Sequence, residues 1–340
     1  MALPTDSAHL SRPGQDGGTG NYDALFIEEY GGLVDLAFHE TSVMKSFLNV
    51  RSVMGTNTVK NYRVGETSLS GVTPGVRPDA SPTNFGDVSV TVDTVVVARN
   101  NVFLLEDLQN NYDAKVELAR TQGEQLAEYF DEAAYIQAMK AARSAAPANL
   151  PGFQGGTVVE LDAATDELDP NKLEAKILSM VQGMEEKKVK VRGTQFGTTG
   201  YNGVSLFVSP AQYYTLLQND KLVDSQYSMG NGDYADSRIL KAAGLPINTT
   251  TLLPQEAAGA TGHLLSNATN SNAYDYTAAE GDVRVLGFAP RAVLAGETIS
   301  LQSDIWYNKE EKQWFIDSHL SFGMAPDRAE MAGVVDKYRA

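Results

Sequence analysis

The chain has 340 residues, 42% hydrophobic and 21% charged, which suits a soluble globular protein of two or more lobes. Cysteine is absent, so disulfide staples and thiolate chemistry are excluded. Lys+Arg total 27 against 43 Asp+Glu, and the net charge of −16 opposes a direct DNA reader, because phosphate binding needs cations that displace counterions.

The opening stretch, MALPTDSAHLSRPGQDGGTGN, is polar and Gly-rich and lacks the apolar run of a secretory signal. It reads as an arm. Residues 23–38 carry Phe26, Tyr30, Leu33, Val34 and Ala37 at helical spacing, interrupted by Gly31 and Gly32. They form either an amphipathic helix on the chain's own core or an arm that docks on a neighbour.

Between the strand-like runs VKNYRV (59–64) and VSVTVDTVVVA (88–98) lies GETSLSGVTPGVRPDASP (65–82), with no side chain larger than leucine except Arg77. Its turn residues cannot build a core. The flanking runs predict a two-stranded ribbon with arms of about 12–14 residues, reaching roughly 40–45 Å at about 3.3 Å per residue. A lone ribbon is marginal in water and needs a surface. Gly71, Pro74, Gly75 and Arg77 are therefore expected at a loop tip that contacts another chain.

Residues 112–146 are rich in Ala, Glu, Gln, Leu, Lys and Arg and predict one long helix, continuous at least over Val116–Met139. Gly123, Leu126 and Phe130 share its packed face, and Gly123 permits close approach of another element. A second lobe starts near residue 169. Asp169 is placed to cap a helix with Pro170 in its first turn and Leu173, Ile177, Met180, Val181 and Met184 on one face. VSLFVSPAQYYTLLQN reads as a strand entering a helix, with Ser209 and Gln212 as a capping box. AAGLPINTTTLL predicts a short strand, and the segment from Pro254 to Asp282 a long polar loop. TISLQSDIWY and QWFIDSHLSF alternate around NKEEK and predict a terminal hairpin.

No motif for catalysis emerges. There is no P-loop and no G-x-S-x-G elbow. The histidines His9, His39, His263 and His319 are scattered, with no partner at i+3 or i+4, so a transition-metal site would have to be built mostly from carboxylates. The expectation is no catalytic residue, no cofactor and no metal. The densest basic run, EKKVKVR (186–192), is read as a solvated charge patch.

Five segments in order carry a resemblance: YGGLVDLAFHETSVMKSFLNVRSV (30–53), GVTPGVRP (71–78), LLEDLQNNYDAKVELARTQGEQLA (104–127), LFVSPAQYYTLLQ (206–218) and FGMAPDRAEMAGVV (322–335). Together the sequence resembles the major capsid proteins of tailed bacteriophages with the Hong Kong 97-type fold, above all those of short-tailed podoviruses of the Autographivirus kind. The resemblance implies an α+β fold. Its segments would be an N-terminal arm (1–48), an extended E-loop (49–100), a peripheral domain with a spine helix (101–164), an axial domain (165–285) and a return to the peripheral domain with the hairpin (286–340). It implies a structural, non-enzymatic protein that assembles into the icosahedral shell around double-stranded DNA, through pentamers and hexamers, in the bacterial host cytoplasm. The implied partners are other copies, a scaffolding protein and the portal, with a decoration protein as a further candidate, and neither a specific nucleic acid nor a membrane. Lys–Asn cross-links between subunits are not expected. The rival readings are a tail or decoration component and a soluble carboxylate-dependent hydrolase.

Overall fold

The computed structural model describes residues 33–39, 41–75, 80, 82–105, 114–191, 203–219, 222, 232–233, 238–239, 241–255 and 259–339. Phe26, Tyr30, Gly31, Gly32, Arg77 and His9 lie outside them. The chain divides into two compact units.

One unit takes the described parts of Met1–Ser46 with Val92–Asp131 and Glu297–Phe322. Residues 33–39 are helical, and the long helix Ala114–Arg143 begins here. This 30-residue helix agrees with the composition of its sequence, which has no proline and a single glycine. A four-stranded sheet runs in the order β1 (Val50–Ser52), β12 (Val293–Asn308), β13 (Gln313–Pro326) and β4 (Val96–Phe103), of which β4 and the stretches of β12 and β13 within 297–322 belong to this unit. β12 and β13 are the expected terminal hairpin, and β13 lies antiparallel to β4 with Asp317 opposite Arg99. Val34, Val102, Ala119, Ile305 and Ile316 form its core. Gln122, buried on the long helix, donates to the Ile316 carbonyl at 3.3 Å and accepts from the Ser318 hydroxyl at 2.7 Å.

The other unit takes Phe47–Thr91, Glu132–Gly296 and Gly323–Ala340. Its six-stranded sheet runs β5 (Thr157–Glu160), β14 (Ala332–Asp336), β11 (Val283–Phe288), β6 (Ser205–Val208), β10 (Leu245–Thr249) and β9 (Lys241–Ala242). β5 pairs parallel with β14, and β6 with β10. A further two-stranded pair joins β7 (Gly232–Asp233) and β8 (Arg238–Ile239). The helix Pro170–Glu186 buries Leu173, Ile177, Met180, Val181 and Met184 as its pattern predicts. The Asp169 carboxylate caps it, accepting from the Asn171 and Lys172 amides at 3.0 and 3.4 Å. A Cβ on Gly287 or Gly333 would come within 2.9 Å or 2.8 Å of Met180, so these strands carry glycine where the helix crosses the sheet.

Three readings are corrected. VSVTVDTVVVA is not one strand: β3 (Phe85–Thr91) ends before Asp93, and β4 starts at Val96 in a different sheet. The ribbon β2 (Thr58–Val64) and β3 has seven residues per arm, roughly 23 Å at about 3.3 Å per residue. Its ladder ends where Gly65 turns over Pro151. A Cβ there would lie 3.1 Å from the proline ring, and the Glu66 amide donates to the Pro151 carbonyl at 2.7 Å. Finally, Ser209 occupies the N-cap of Pro210–Leu217, but its hydroxyl donates to Gln212 Oε1 and makes no backbone cap bond, so the capping box does not form.

Candidate functional site

The ribbon is built from two halves of opposite character. Its base is fixed within its own unit. Val59 and Val90 enter a core with Val53 and Leu294. Arg63 Nε and a terminal nitrogen reach Asp327 Oδ1 at 3.0 and 2.9 Å, and the Asn61 amide donates to Asp327 Oδ2 at 2.6 Å. Arg63 also donates to the Asp327 carbonyl. Both charged side chains are nearly buried. The Phe153 ring is stacked by the guanidinium of Arg63 at 5.6 Å and by that of Arg328 at 5.0 Å. Beside it opens a cavity of about 300 Å³, lined by Val64, Glu66, Phe153, Lys188, Arg328 and Glu330 among others.

Beyond Gly65 the chain is exposed from Glu66 through Gly75. Leu69 is 97% exposed, and Val72 is also largely open. On the ribbon itself Tyr62 and Phe85 are 77% and 75% exposed. A Cβ on Gly71 or Gly75 would meet nothing within 4 Å. Gly75 has φ +88°, which a residue with a side chain adopts only under strain. Of the four expected tip residues, Gly71, Pro74 and Gly75 are thus exposed on one loop, and Arg77 lies outside the described residues. The contrast is physical: a charged latch holds the base, while the apolar side chains Leu69 and Val72 at the tip stand largely in solvent.

The long helix presents the second feature. Gly123, Leu126 and Phe130 are all buried. A Cβ on Gly123 would lie 2.6 Å from the Val34 carbonyl oxygen and 2.8 Å from Ala37 Cβ, so helical residues 33–39 rest on its bare backbone. Phe130 packs edge-on against Phe38, with centroids 6.1 Å apart, and at a tilt against Phe322, with centroids 4.8 Å apart. The next residue, Asp131, accepts from the Ser42 hydroxyl at 2.7 Å and from the Val43 and Met44 amides at 2.9 and 3.2 Å. It caps the single helical turn Met44–Phe47 from far along the chain. Burial pushes the Asp131 carboxyl above its ordinary range, and these three donors partly offset the push.

The basic run is not uniformly solvated. Lys187 Nζ donates to the Gly155 and Gly156 carbonyls at 2.9 and 2.7 Å and to Thr157 Oγ1 at 2.9 Å. Burial lowers its pKa. It is an internal strut, while Lys188 beside it is exposed and 3.8 Å from Glu66. The strut was not legible in the sequence, because its acceptors are main-chain carbonyls.

Comparison with known proteins gives these surfaces a context. Residues 84–293 match the family profile described as Gp10A-like, major capsid protein. The major capsid protein of Escherichia phage T7 is 30% identical over 141 residues, which cover 40% of this chain and 41% of that protein. The major capsid protein of Enterobacteria phage T3 is 25% identical over 212 residues, covering 58% and 61%. The matches thus span less than two thirds of these relatives. Among solved structures, the capsid of the Cyanophage P-SCSP1u is similar with a TM-score of 0.75 at 19% identity, covering 88% of this chain and 89% of that one. The mature capsid of bacteriophage PhiM1 is similar with a TM-score of 0.71 at 24% identity, covering 88% of both.

Proposed function

The chain belongs to the Gp10A-like family of major capsid proteins and has the Hong Kong 97-type fold, and from this premise we propose that it builds the icosahedral head shell around double-stranded DNA. The protein acts as a structural subunit of the virion, not as an enzyme. It associates with copies of itself as pentamers and hexamers. A scaffolding protein and the portal join during assembly in the host cytoplasm.

The observation that carries this reading is the loop from Glu66 to Gly75, exposed along its whole length and armed with Leu69 and Val72. A latched base and an uncovered apolar tip suit a lever laid over an adjacent subunit, where the tip's apolar area leaves water. Gly71, Pro74, Gly75 and Arg77 are the contact residues of that tip. Each contact is modest, and closed symmetry multiplies it. The net charge of −16 keeps packaged DNA from adhering to the wall.

The test replaces residues 70–78 by a short Gly-Ser linker. The variant is expected to keep the wild-type circular dichroism spectrum and to yield no closed particles by electron microscopy when co-expressed with the scaffolding protein. Shells of normal yield and size would refute the role of the tip.

A further inference from the structure

We propose that Asp304, Asp317 and His319 form a binding site for a first-row divalent cation of the zinc type on the hairpin β12–β13. Successive side chains of a strand alternate between faces, so Asp317 and His319 share one face of β13 while Ser318 turns to Gln122 on the other. Across the hairpin, Ser303 meets Ser318 at 3.1 Å and Trp306 stacks on Phe315 at 5.5 Å, and the same register sets Asp304 opposite Asp317. Like charges directly opposite each other destabilise a sheet. Arg99 answers only part of that charge: it donates to Asp317 Oδ2 at 2.7 Å.

The other oxygen carries the argument. Asp317 is 6% exposed, its Oδ1 is fully buried, and no group among the described residues donates to it. A buried carboxylate oxygen without a donor is costly. Oδ1 faces His319 Nδ1 at 4.0 Å, too far for a hydrogen bond. One ligand atom from each of Asp304, Asp317 and His319 lies within 4.8 Å of the others. Donors that share a zinc ion at bond lengths near 2.0–2.2 Å sit roughly 3.4 Å apart. The set must therefore contract by about an ångström, and Asp304, exposed on its strand, is free to swing inward. One imidazole and two carboxylates suit zinc-type ions. Magnesium and calcium prefer oxygen-only shells. Water would complete the coordination. Such an ion would clamp both strands of the hairpin.

The experiment uses the full chain, stripped with a chelator and titrated calorimetrically with zinc chloride. A single equivalent is expected to bind. Asp304→Asn and His319→Gln should each weaken binding at least about tenfold, and His39→Gln should not. Cobalt(II) should give visible absorption bands that His319→Gln abolishes. Asp304 is exposed, so its variant tests the site without disturbing the fold. Wild-type affinity for zinc weaker than about 1 mM overturns the proposal. So does unchanged affinity in both Asp304→Asn and His319→Gln, or tighter binding of magnesium than of zinc.

Discussion

Replacing Gly123 by leucine sets helix propensity against packing. Glycine costs a helix interior about 0.8–1.0 kcal/mol relative to alanine, so on an exposed helix the change would stabilise. Here a Cβ would stand 2.6 Å from the Val34 carbonyl oxygen, 2.8 Å from Ala37 Cβ and 3.1 Å from the Phe38 nitrogen. Residues 33–39 would have to recede by roughly 0.8 Å before even alanine reached ordinary contact. Overpacking of this kind costs about 1–3 kcal/mol. Alanine is therefore expected to lose about 0–2 kcal/mol net. Leucine adds three more carbons toward main-chain atoms that cannot rotate aside, which puts it at the upper end of that range, with an expected net loss of about 2 kcal/mol. The loss has a ceiling, since residues 33–39 can detach and forfeit the burial of Val34 and Phe38, about 1.5–3 kcal/mol each. Urea titration followed by circular dichroism gives the stability, and hydrogen exchange locates the loss. Amide protection should fall at residues 34–39 while the long helix stays protected. A leucine variant within about 0.5 kcal/mol of wild type, with protection at 34–39 intact, would refute the reasoning.

Asp327→Ala strands the nearly buried Arg63 guanidinium and is expected to cost about 3–5 kcal/mol. The accompanying signature is faster hydrogen exchange in β2 and β3, and unchanged exchange there would count against the latch. The Asp166 carboxyl is held below its ordinary value of 3.8, chiefly by the hydrogen bond from Lys172 at 2.6 Å. Its stabilisation is complete above that value and is lost as pH falls through the lower, folded value. Asp166→Asn should therefore lose stability relative to wild type above about pH 4 and converge with it in stronger acid, as read by urea midpoints. The purified subunit should show little retention on duplex DNA at about 0.15 M salt. Tight binding there, with a log–log salt slope that implies six or more phosphate contacts at about −0.9 each, would reopen a nucleic-acid-handling role.

What the sequence makes legible depends on how far a pattern runs before it is interrupted. The long helix and the terminal hairpin carry their periodicity over ten residues or more, and both stand where the pattern sets them. β5, β11 and β14 have four to six residues and lie in a sheet whose central strands are buried almost throughout, so β11 and β14 show no alternation to read. The ribbon is overextended in the sequence because the valines of 88–98 continue through Asp93 and Thr94, where the chain changes sheets. The face of Gly123 is readable from spacing, whereas the identity of the element that covers it depends on a contact across some ninety positions. The cluster at Asp317 escapes a search for helical spacing, because a strand brings residues i and i+2 together and the third ligand comes from across the hairpin.

The ribbon latch also orders events in time. Arg63 and Asp327 are 264 positions apart. At about 5–20 residues per second, a ribosome needs roughly 13–53 s to travel from one to the other. During that interval the ribbon has its strands and its tip but not the carboxylate that fixes its base. If the tip grips another copy, as proposed, contacts made before Asp327 is synthesised would lack the latch that fixes the ribbon's base.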